Sequence, residues 1–157
     1  MPKPVVLNTS DPAGMARALG VADVSLLGAS KLVGDPFTDT TLTLVLDVRT
    51  ELASPEPGRS DEGSHRLVLA VGPAGGSTWT VVSELDVIVP TLHRLSLANE
   101  ACRRADAVDP TLVAVLSPPA TGSITDERWP ATRAWQVTDG HATQIDAADV
   151  TCEMTGE

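Results

Sequence analysis

The clearest pattern in this chain of 157 residues is an alternation of apolar and polar side chains between Thr40 and Leu52. In an extended segment, Leu42, Leu44 and Leu46 point one way, and the threonine and charged residues around them point the other. Such alternation is typical of an antiparallel strand that buries one face in a core and leaves the other near water. The segment therefore predicts a β-strand.

The core behind this strand has few aromatic side chains to draw on. The chain contains three Trp, one Phe and no Tyr. A core built by this chain must therefore consist mainly of Leu, Val, Ile and Ala. Trp79, Trp129 and Trp135 are the largest side chains available, and each needs a partner for its ring N–H if it is buried.

A short helix is predicted after Ser10. Ser10 or Asp11 can accept the first backbone N–H groups, Pro12 suits the first turn, and Gly20 suits the exit. The following apolar segment, Val21–Val33, contains a glycine and has no clean period. It is compatible with a strand that carries a bulge or with a second short helix.

Further strands are predicted from shorter apolar segments. These are His65–Val71, Thr78–Ser83, Thr111–Leu116, Arg133–Thr138, His141–Ile145 and Val150–Met154. Residues 72–76 between the first two are rich in glycine and predict a hairpin turn. Asp139 and Gly140 predict another, because a type I′ turn needs a positive φ at both central residues. Thr111–Leu116 is apolar on both faces, as a central strand should be.

A long helix is predicted over residues 85–105. Apolar residues recur there at helical spacing, at Leu85, Ile88, Leu92, Leu95 and Cys102. Two starts remain open. Ser83 with Asp86 resembles a capping box, whereas Pro90 suits the first helical position.

Asn99 lies in the same apolar stripe of this predicted helix. A polar residue in a helical seam can fix how two chains pair. Leu92, Leu95 and Asn99 are therefore candidate contacts of a homodimer. The alternative for Asn99 is a core side chain that is hydrogen-bonded to the backbone.

Together these elements predict an α+β fold, with a single antiparallel sheet of about five to seven strands covered by one long helix and a short N-terminal helix. Residues 1–157 are expected to form one domain. Within it, residues 53–64 and 117–132 are expected to be surface loops, because proline, glycine and polar residues are concentrated there.

The formal net charge of −10 restricts the partners of the chain. A negative field repels nucleic-acid phosphates and anionic lipid, so neither nucleic acid nor membrane is expected as a partner. A protein with a basic segment is favoured instead. No run of about 18 apolar residues is present for a membrane span. We expect a cytoplasmic protein in which both cysteines are reduced.

Two segments are candidate binding surfaces. Asp126, Glu127, Arg128 and Trp129 form a cluster in the second predicted loop, and Trp and Arg are frequent in binding hot spots. The alternative for Trp129 is a side chain that folds back and anchors the loop.

The second segment is the C-terminal one, from Asp139 to Glu157, which carries five acidic residues and no Lys or Arg. The segment is either a solvated edge or a docking face for a basic partner, for which Asp139, Asp146 and Asp149 are the candidate contacts.

Residues with reactive side chains occur without a diagnostic spacing. No pair of His lies four residues apart and no Cys-x-x-Cys occurs, so we expect neither a metal site nor a cofactor. Ser30 follows Gly28 as in part of a nucleophile elbow, but the second glycine is missing. No catalytic residues are predicted.

The sequence therefore favours a non-enzymatic, acidic protein-binding or accessory module. One alternative is a small-molecule-binding protein or minor enzyme, with a pocket between sheet and helix whose polar groups would be Ser30, His93 or His141. A further alternative is a structural subunit of a larger, phage-like assembly.

Overall fold

The structure is a computed structural model that describes residues 5–34, 37–49, 62–97, 102–105, 107–118 and 128–153. The described chain is mostly β, with 62% of it in strands and 11% helical, and its strands form two sheets, one of them curled into a half-barrel. The prediction of an α+β fold with one sheet under a long helix is therefore wrong.

The secondary-structure elements follow one another along the described chain. They are β1 (Val6–Asn8), α1 (Pro12–Ala18), β2 (Leu27–Val33), β3 (Thr41–Arg49), β4 (Gly63–Pro73), β5 (Thr78–Val89), β6 (Arg94–Leu97), β7 (Cys102–Arg104), β8 (Ala107–Val108), β9 (Leu112–Leu116), β10 (Arg128–Thr138), β11 (His141–Ile145) and β12 (Val150–Glu153). Short 3₁₀ helices occupy Val24–Leu26 and Ala147–Asp149.

The chain divides into two compact units. The first takes its residues from Met1–Leu52, Ser64–Val87 and Thr138–Ala142, and the second takes them from Ala53–Gly63, Ile88–Val137 and Thr143–Glu157. Of the two predicted loops, residues 53–61 and 119–127 lie outside the described residues. Residues 63 and 64 belong to β4 and residues 128–132 to β10.

The first sheet has the strand order β1-β5-β4-β3-β2. The predicted strand at Thr40–Leu52 is confirmed as β3, whose leucines pack with Met15 and Leu19 in one core. Its other face is also buried, since Thr43 and Asp47 are only 4% and 8% exposed. The expectation that this face lies near water is therefore wrong.

The N-terminal helix is confirmed as α1. The Asp11 side chain caps it by accepting the Gly14 N–H at 3.0 Å, and Pro12 occupies its first turn. Gly20 follows the helix with a φ of 71°, which a residue without a Cβ adopts most easily. For Val21–Val33 both alternatives hold in part, because a 3₁₀ helix precedes β2, and the β2–β3 register shifts between Leu27 and Ser30.

The predicted helix at 85–105 is wrong, because the described part of this range forms strands and turns. Along β5 the side chains alternate, with Val87 and Val89 buried and Asp86 and Ile88 exposed. This period of two is that of a strand, and the β-branched residues favour it. The helical spacing of the leucines was therefore coincidental.

The predicted dimer contacts consequently do not lie on a helical seam. Leu92 is in the turn after β5 with a φ of 65° and is 51% exposed. Leu95 belongs to β6. Asn99 lies outside the described residues.

The second sheet has the order β6-β9-β10-β12-β7-β8, with β11 paired to β10. All five residues of β9 are buried, which confirms the predicted central strand. The hairpin at Asp139-Gly140 is also confirmed, since these residues connect β10 to β11 with φ values of 50° and 80°. Nothing among the described helices is long and apolar enough to cross a membrane.

Cys102 and Cys152 form a disulfide with an S–S distance of 2.04 Å. The expectation that both thiols are reduced is therefore wrong. The two residues are register partners on β7 and β12 and belong to the buried core of the second unit. The two cysteines are 50 residues apart in the sequence, so their direct contact between neighbouring strands could not be predicted from the spacing.

Candidate functional site

A cavity of about 240 Å³ lies in the first unit beside β2. Met15 of α1 and Leu44 and Leu46 of β3 provide much of its apolar lining. Ser30 of β2 and Thr9 add hydroxyl groups. The cavity therefore combines an apolar interior with a few polar groups, as ligand-binding sites do.

Two acidic residues directly precede, in the sequence, residues that line this cavity. Asp11 precedes the lining residue Pro12, and Asp23 precedes the lining residue Val24. Both are exposed. Each caps a helical turn, which holds its carboxylate in place.

Asp23 accepts the backbone N–H of Ser25 at 2.9 Å. This hydrogen bond, followed by one from the Ser25 side chain, lowers the pKa of the Asp23 carboxyl below its usual value of 3.8. Hydrogen bonds to the charged form favour ionisation. Asp23, which directly precedes the lining residue Val24 in the sequence, is therefore ionised at neutral pH.

Strand β2 is the last strand of the first sheet, and among the described residues it pairs only with β3. Ser30 and Leu32 stand opposite Leu46 and Leu44 of β3. Leu32 is 51% exposed, and Lys31 is exposed as well. An edge strand of this kind carries backbone N–H and C=O groups that can pair with another chain.

A second cavity, of about 300 Å³, lies where α1 ends and has Arg49 and Arg66 in its lining. Arg66 Nη2 donates a hydrogen bond to the Leu19 carbonyl at 2.8 Å, and its Nε is 3.5 Å from Glu84 Oε1. The Arg66 guanidinium thus stabilises the end of α1, where the last carbonyls need partners. These contacts assign Arg66 a structural role.

His65 and Asp47 form a buried pair in the first unit. His65 Nδ1 lies 2.7 Å from Asp47 Oδ1, and the two side chains are 0% and 11% exposed. Ser30 is on the other face of the sheet, since it stands opposite Leu46, the neighbour of Asp47 in β3. The arrangement is therefore a His–Asp pair without Ser30 as a nucleophile.

The two other histidines lie apart from both cavities. His93 Nδ1 is 3.0 Å from the Thr91 carbonyl oxygen, and His141 is exposed at the start of β11. No group of three or more His, Cys, Asp or Glu that could hold a metal ion occurs in the described part of the chain. Of the three polar residues considered for a pocket, Ser30 alone lines one of these two cavities.

The predicted cluster at 126–129 is described only in part, since Asp126 and Glu127 lie outside the described residues. Arg128 is exposed, and its Nη2 is 4.0 Å from Glu153. Trp129 packs against the core of the second unit, with the Arg94 guanidinium 5.4 Å from its ring centre. These contacts favour the anchoring alternative for Trp129.

The acidic residues of the C-terminal segment have separate roles. Asp139 forms part of the β10–β11 turn, and the Asp146 side chain accepts the Ala148 N–H at 3.0 Å. Asp149 accepts the Ala105 N–H through its backbone carbonyl at 2.7 Å. Thr151 and Val150 of β12 stand opposite Arg103 and Arg104 of β7. The segment contains no basic residues of its own, but in the fold Arg103 and Arg104 of β7 lie on the neighbouring strand.

Sequence reasoning missed Asp11 and Asp23 as site residues, although it identified Asp11 as a possible cap. A signal for both was present, because each stands two or three residues before the group that it caps. No sequence pattern indicated that β2 lies at the edge of its sheet, because the order of strands in a sheet does not follow from the residue pattern of one strand. A comparison of the chain with known protein families, curated proteins and solved structures found no match.

Proposed function

We propose that this protein is a non-enzymatic, acidic binding module that takes up a basic segment of another protein. The observation that carries the proposal is the apolar cavity beside the edge strand β2, with two exposed acidic residues, Asp11 and Asp23, each directly before a lining residue in the sequence. The cavity supplies apolar contact, and the carboxylates supply charge complementarity.

The positions of the reactive side chains support binding more than catalysis. Cys102 and Cys152 are joined to each other, so neither is a thiol nucleophile. His65 is fully buried against Asp47, where a substrate has no access to its ring. A general base must lie within hydrogen-bond reach of the proton that it removes.

Binding to a synthetic peptide tests the proposal. A fluorescein-labelled heptapeptide with the order serine, lysine, threonine, leucine, threonine, lysine, serine places both lysines and the leucine on one face of an extended chain. We expect its fluorescence anisotropy to rise with protein concentration. The affinity should weaken with added salt, because the Debye length falls from about 10 Å at 0.1 M to about 3 Å at 1 M.

A control peptide has glutamate in place of both lysines. It should bind at least about tenfold more weakly, a difference of about 1.4 kcal/mol. The proposal fails if the lysine peptide does not bind, or if both peptides bind equally well.

A second candidate is a small-molecule-binding protein that uses the same cavity, with Ser30 and Thr9 as hydrogen-bonding groups. Its volume of about 240 Å³ is below the range of about 300–1,000 Å³ for ligand pockets, which restricts the candidate to a small compound. Native mass spectrometry of protein purified under mild conditions tests it. A discrete additional mass that disappears on denaturation supports it, and the bare protein mass alone counts against it.

The disulfide bears on where the protein acts. Disulfides persist in oxidising compartments and are rare in the cytosol of most organisms. The cytoplasmic location expected from the sequence therefore remains a prediction, and the Cys102–Cys152 bond weighs against it.

A further inference from the structure

We infer that the partner segment binds as an additional strand on β2, with one apolar side chain in the adjoining cavity and basic side chains beside Asp11 and Asp23. The inference rests on the proposed function and specifies the binding mode. It requires an open sheet edge, a cavity sized for a side chain, and charges that select the occupant.

The sheet edge supplies the backbone contacts. In an antiparallel pair, alternate residues exchange both of their hydrogen bonds with one neighbour, so the residues between them direct N–H and C=O away from it. Within the described chain β2 pairs with β3 alone, and four register pairs run without interruption from Ser30 to Val33. An extended peptide can therefore pair with the outer side of this stretch, as in β-strand addition.

The cavity lies on the face of the sheet that carries Ser30, Leu44 and Leu46. Every second side chain of an added strand would point to this face. Ser30 of β2 lines the cavity together with Leu44 and Leu46 of β3, and Met15 and Pro12 of α1 belong to the same lining. At about 240 Å³ it suits one large apolar side chain better than a whole drug-sized ligand. Alternate side chains of an added strand give specificity in this binding mode.

The charges select a basic segment. Asp11 and Asp23 are exposed, and each directly precedes a residue of the cavity lining in the sequence. A hydrogen bond from the Ser25 N–H lowers the pKa of Asp23, so its carboxylate stays ionised. Lys31 is the only charged residue of β2 and points to the opposite face from Ser30. A second copy would bring another Lys31 to the same edge, and lysine on an edge strand opposes pairing between copies.

N-methylation of the lysine heptapeptide tests the pairing directly. One version carries methyl groups on alternate backbone nitrogens, and the other carries them on the remaining nitrogens. Only one of the two sets faces β2 in an added strand. We expect one version to bind at least about tenfold more weakly and the other to bind within about threefold of the unmodified peptide. Equal affinities for the two versions would overturn the inference.

Ser30→Phe tests the cavity, because the larger side chain fills it. The matched control is Thr143→Phe, which adds the same ring at an exposed position of β11. We expect Ser30→Phe to weaken peptide binding at least about tenfold and Thr143→Phe to leave it within about twofold. Thermal unfolding of each variant verifies that it is folded.

The possible outcomes separate the binding mode from the function. If the lysine peptide binds but neither N-methylation nor Ser30→Phe discriminates, the protein binds basic segments elsewhere and the inference fails alone. If the lysine peptide does not bind at all, both fail. If light scattering shows a dimer that Ser30→Phe converts to a monomer, the occupant of the edge is a second copy and the inference fails.

Discussion

His65 Nδ1 lies 2.7 Å from Asp47 Oδ1, although the two residues are not opposite each other in the β3–β4 register. Asp47 stands opposite Leu67 and His65 opposite Arg49, so the contact is diagonal across the two strands. Diagonal neighbours are within reach of long or aromatic side chains. A polar pair is thereby satisfied beside β3, a strand that is buried on both faces.

Removal of either partner should therefore destabilise the protein. We expect Asp47→Ala to lower the free energy of unfolding by about 2–4 kcal/mol, because it leaves a buried polar ring without this partner. The double variant with His65→Ala should lose at least about 1 kcal/mol less than the sum of the single losses. Urea denaturation measures all three. Asp86→Ala, at an exposed position of β5, is the control, and additive losses would show that the pair is not coupled.

Two features of the fold favour glycine at position 140, namely a positive φ and the lack of space for a Cβ. Its φ is 80°, and an added Cβ would lie 2.9 Å from the Val82 Cβ and 3.1 Å from a Val71 methyl carbon. Gly75 has the same φ with no atom within 4 Å of an added Cβ. We expect Gly75→Ala to cost about 1–2 kcal/mol through backbone strain alone, and Gly140→Ala to cost about 1–3 kcal/mol more through overpacking. Equal losses in chemical denaturation would contradict the close packing at Gly140.

The Trp79 side chain is 3% exposed, and its ring N–H has no hydrogen-bond partner among the described residues. A buried donor without a partner costs about 1–3 kcal/mol. Trp79→Phe removes this donor but also removes volume, so we expect a net change within about 1 kcal/mol. Trp79→Ala should cost about 3–5 kcal/mol because it leaves a cavity. A loss for Trp79→Phe as large as that for Trp79→Ala would indicate that the N–H is satisfied.

The disulfide closes a long segment and should stabilise the fold. Because it joins residues 50 positions apart, we expect the double variant Cys102→Ser with Cys152→Ser to lose about 2–4 kcal/mol of unfolding free energy. Mass spectrometry of the wild type after thiol alkylation should show no modified cysteine. Two alkylated cysteines in the native protein would contradict the bond.

The Asp23 carboxyl should titrate below its usual pKa of 3.8, since Ser25 hydrogen-bonds to its charged form. A lowered folded-state pKa stabilises the folded protein above the unfolded-state value, and this contribution is lost as the pH falls through the folded-state pKa. Carboxyl NMR titration measures the shift. Ser25→Ala should raise the pKa only in part, because the backbone N–H of residue 25 is the larger cause. Full recovery of 3.8 in this variant would assign the effect to the hydroxyl instead.

Local patterns predicted the local structure well. The Asp11 cap, Pro12 and Gly20 define α1, and Asp139 with Gly140 defines a turn, because each depends on the backbone geometry of a few adjacent residues. The alternation in β3 predicted a strand correctly, but it did not predict that the polar face of this strand is buried. Whether Asp47 meets water depends on what covers the sheet, which no pattern within one strand contains.

The error at residues 85–105 came from two competing periods. Leucines there recur at helical spacing, while Glu84 and Asp86 alternate with buried or half-buried neighbours at a period of two. The strand period and the β-branched residues predominate in the fold. The candidate site depends on strand order and on the approach of α1 to β2 and β3, and such long-range contacts leave no mark on local spacing.

The Cys102–Cys152 bond has a consequence for the integrity of the chain. Strands β8, β9, β10 and β11 lie between the two cysteines in the sequence, so they belong to one covalent ring. A protease that cuts the backbone once within this ring opens it without releasing a fragment. Single-site proteolysis there should therefore produce a nicked protein of unchanged mass apart from one added water, which separates into two pieces only after reduction.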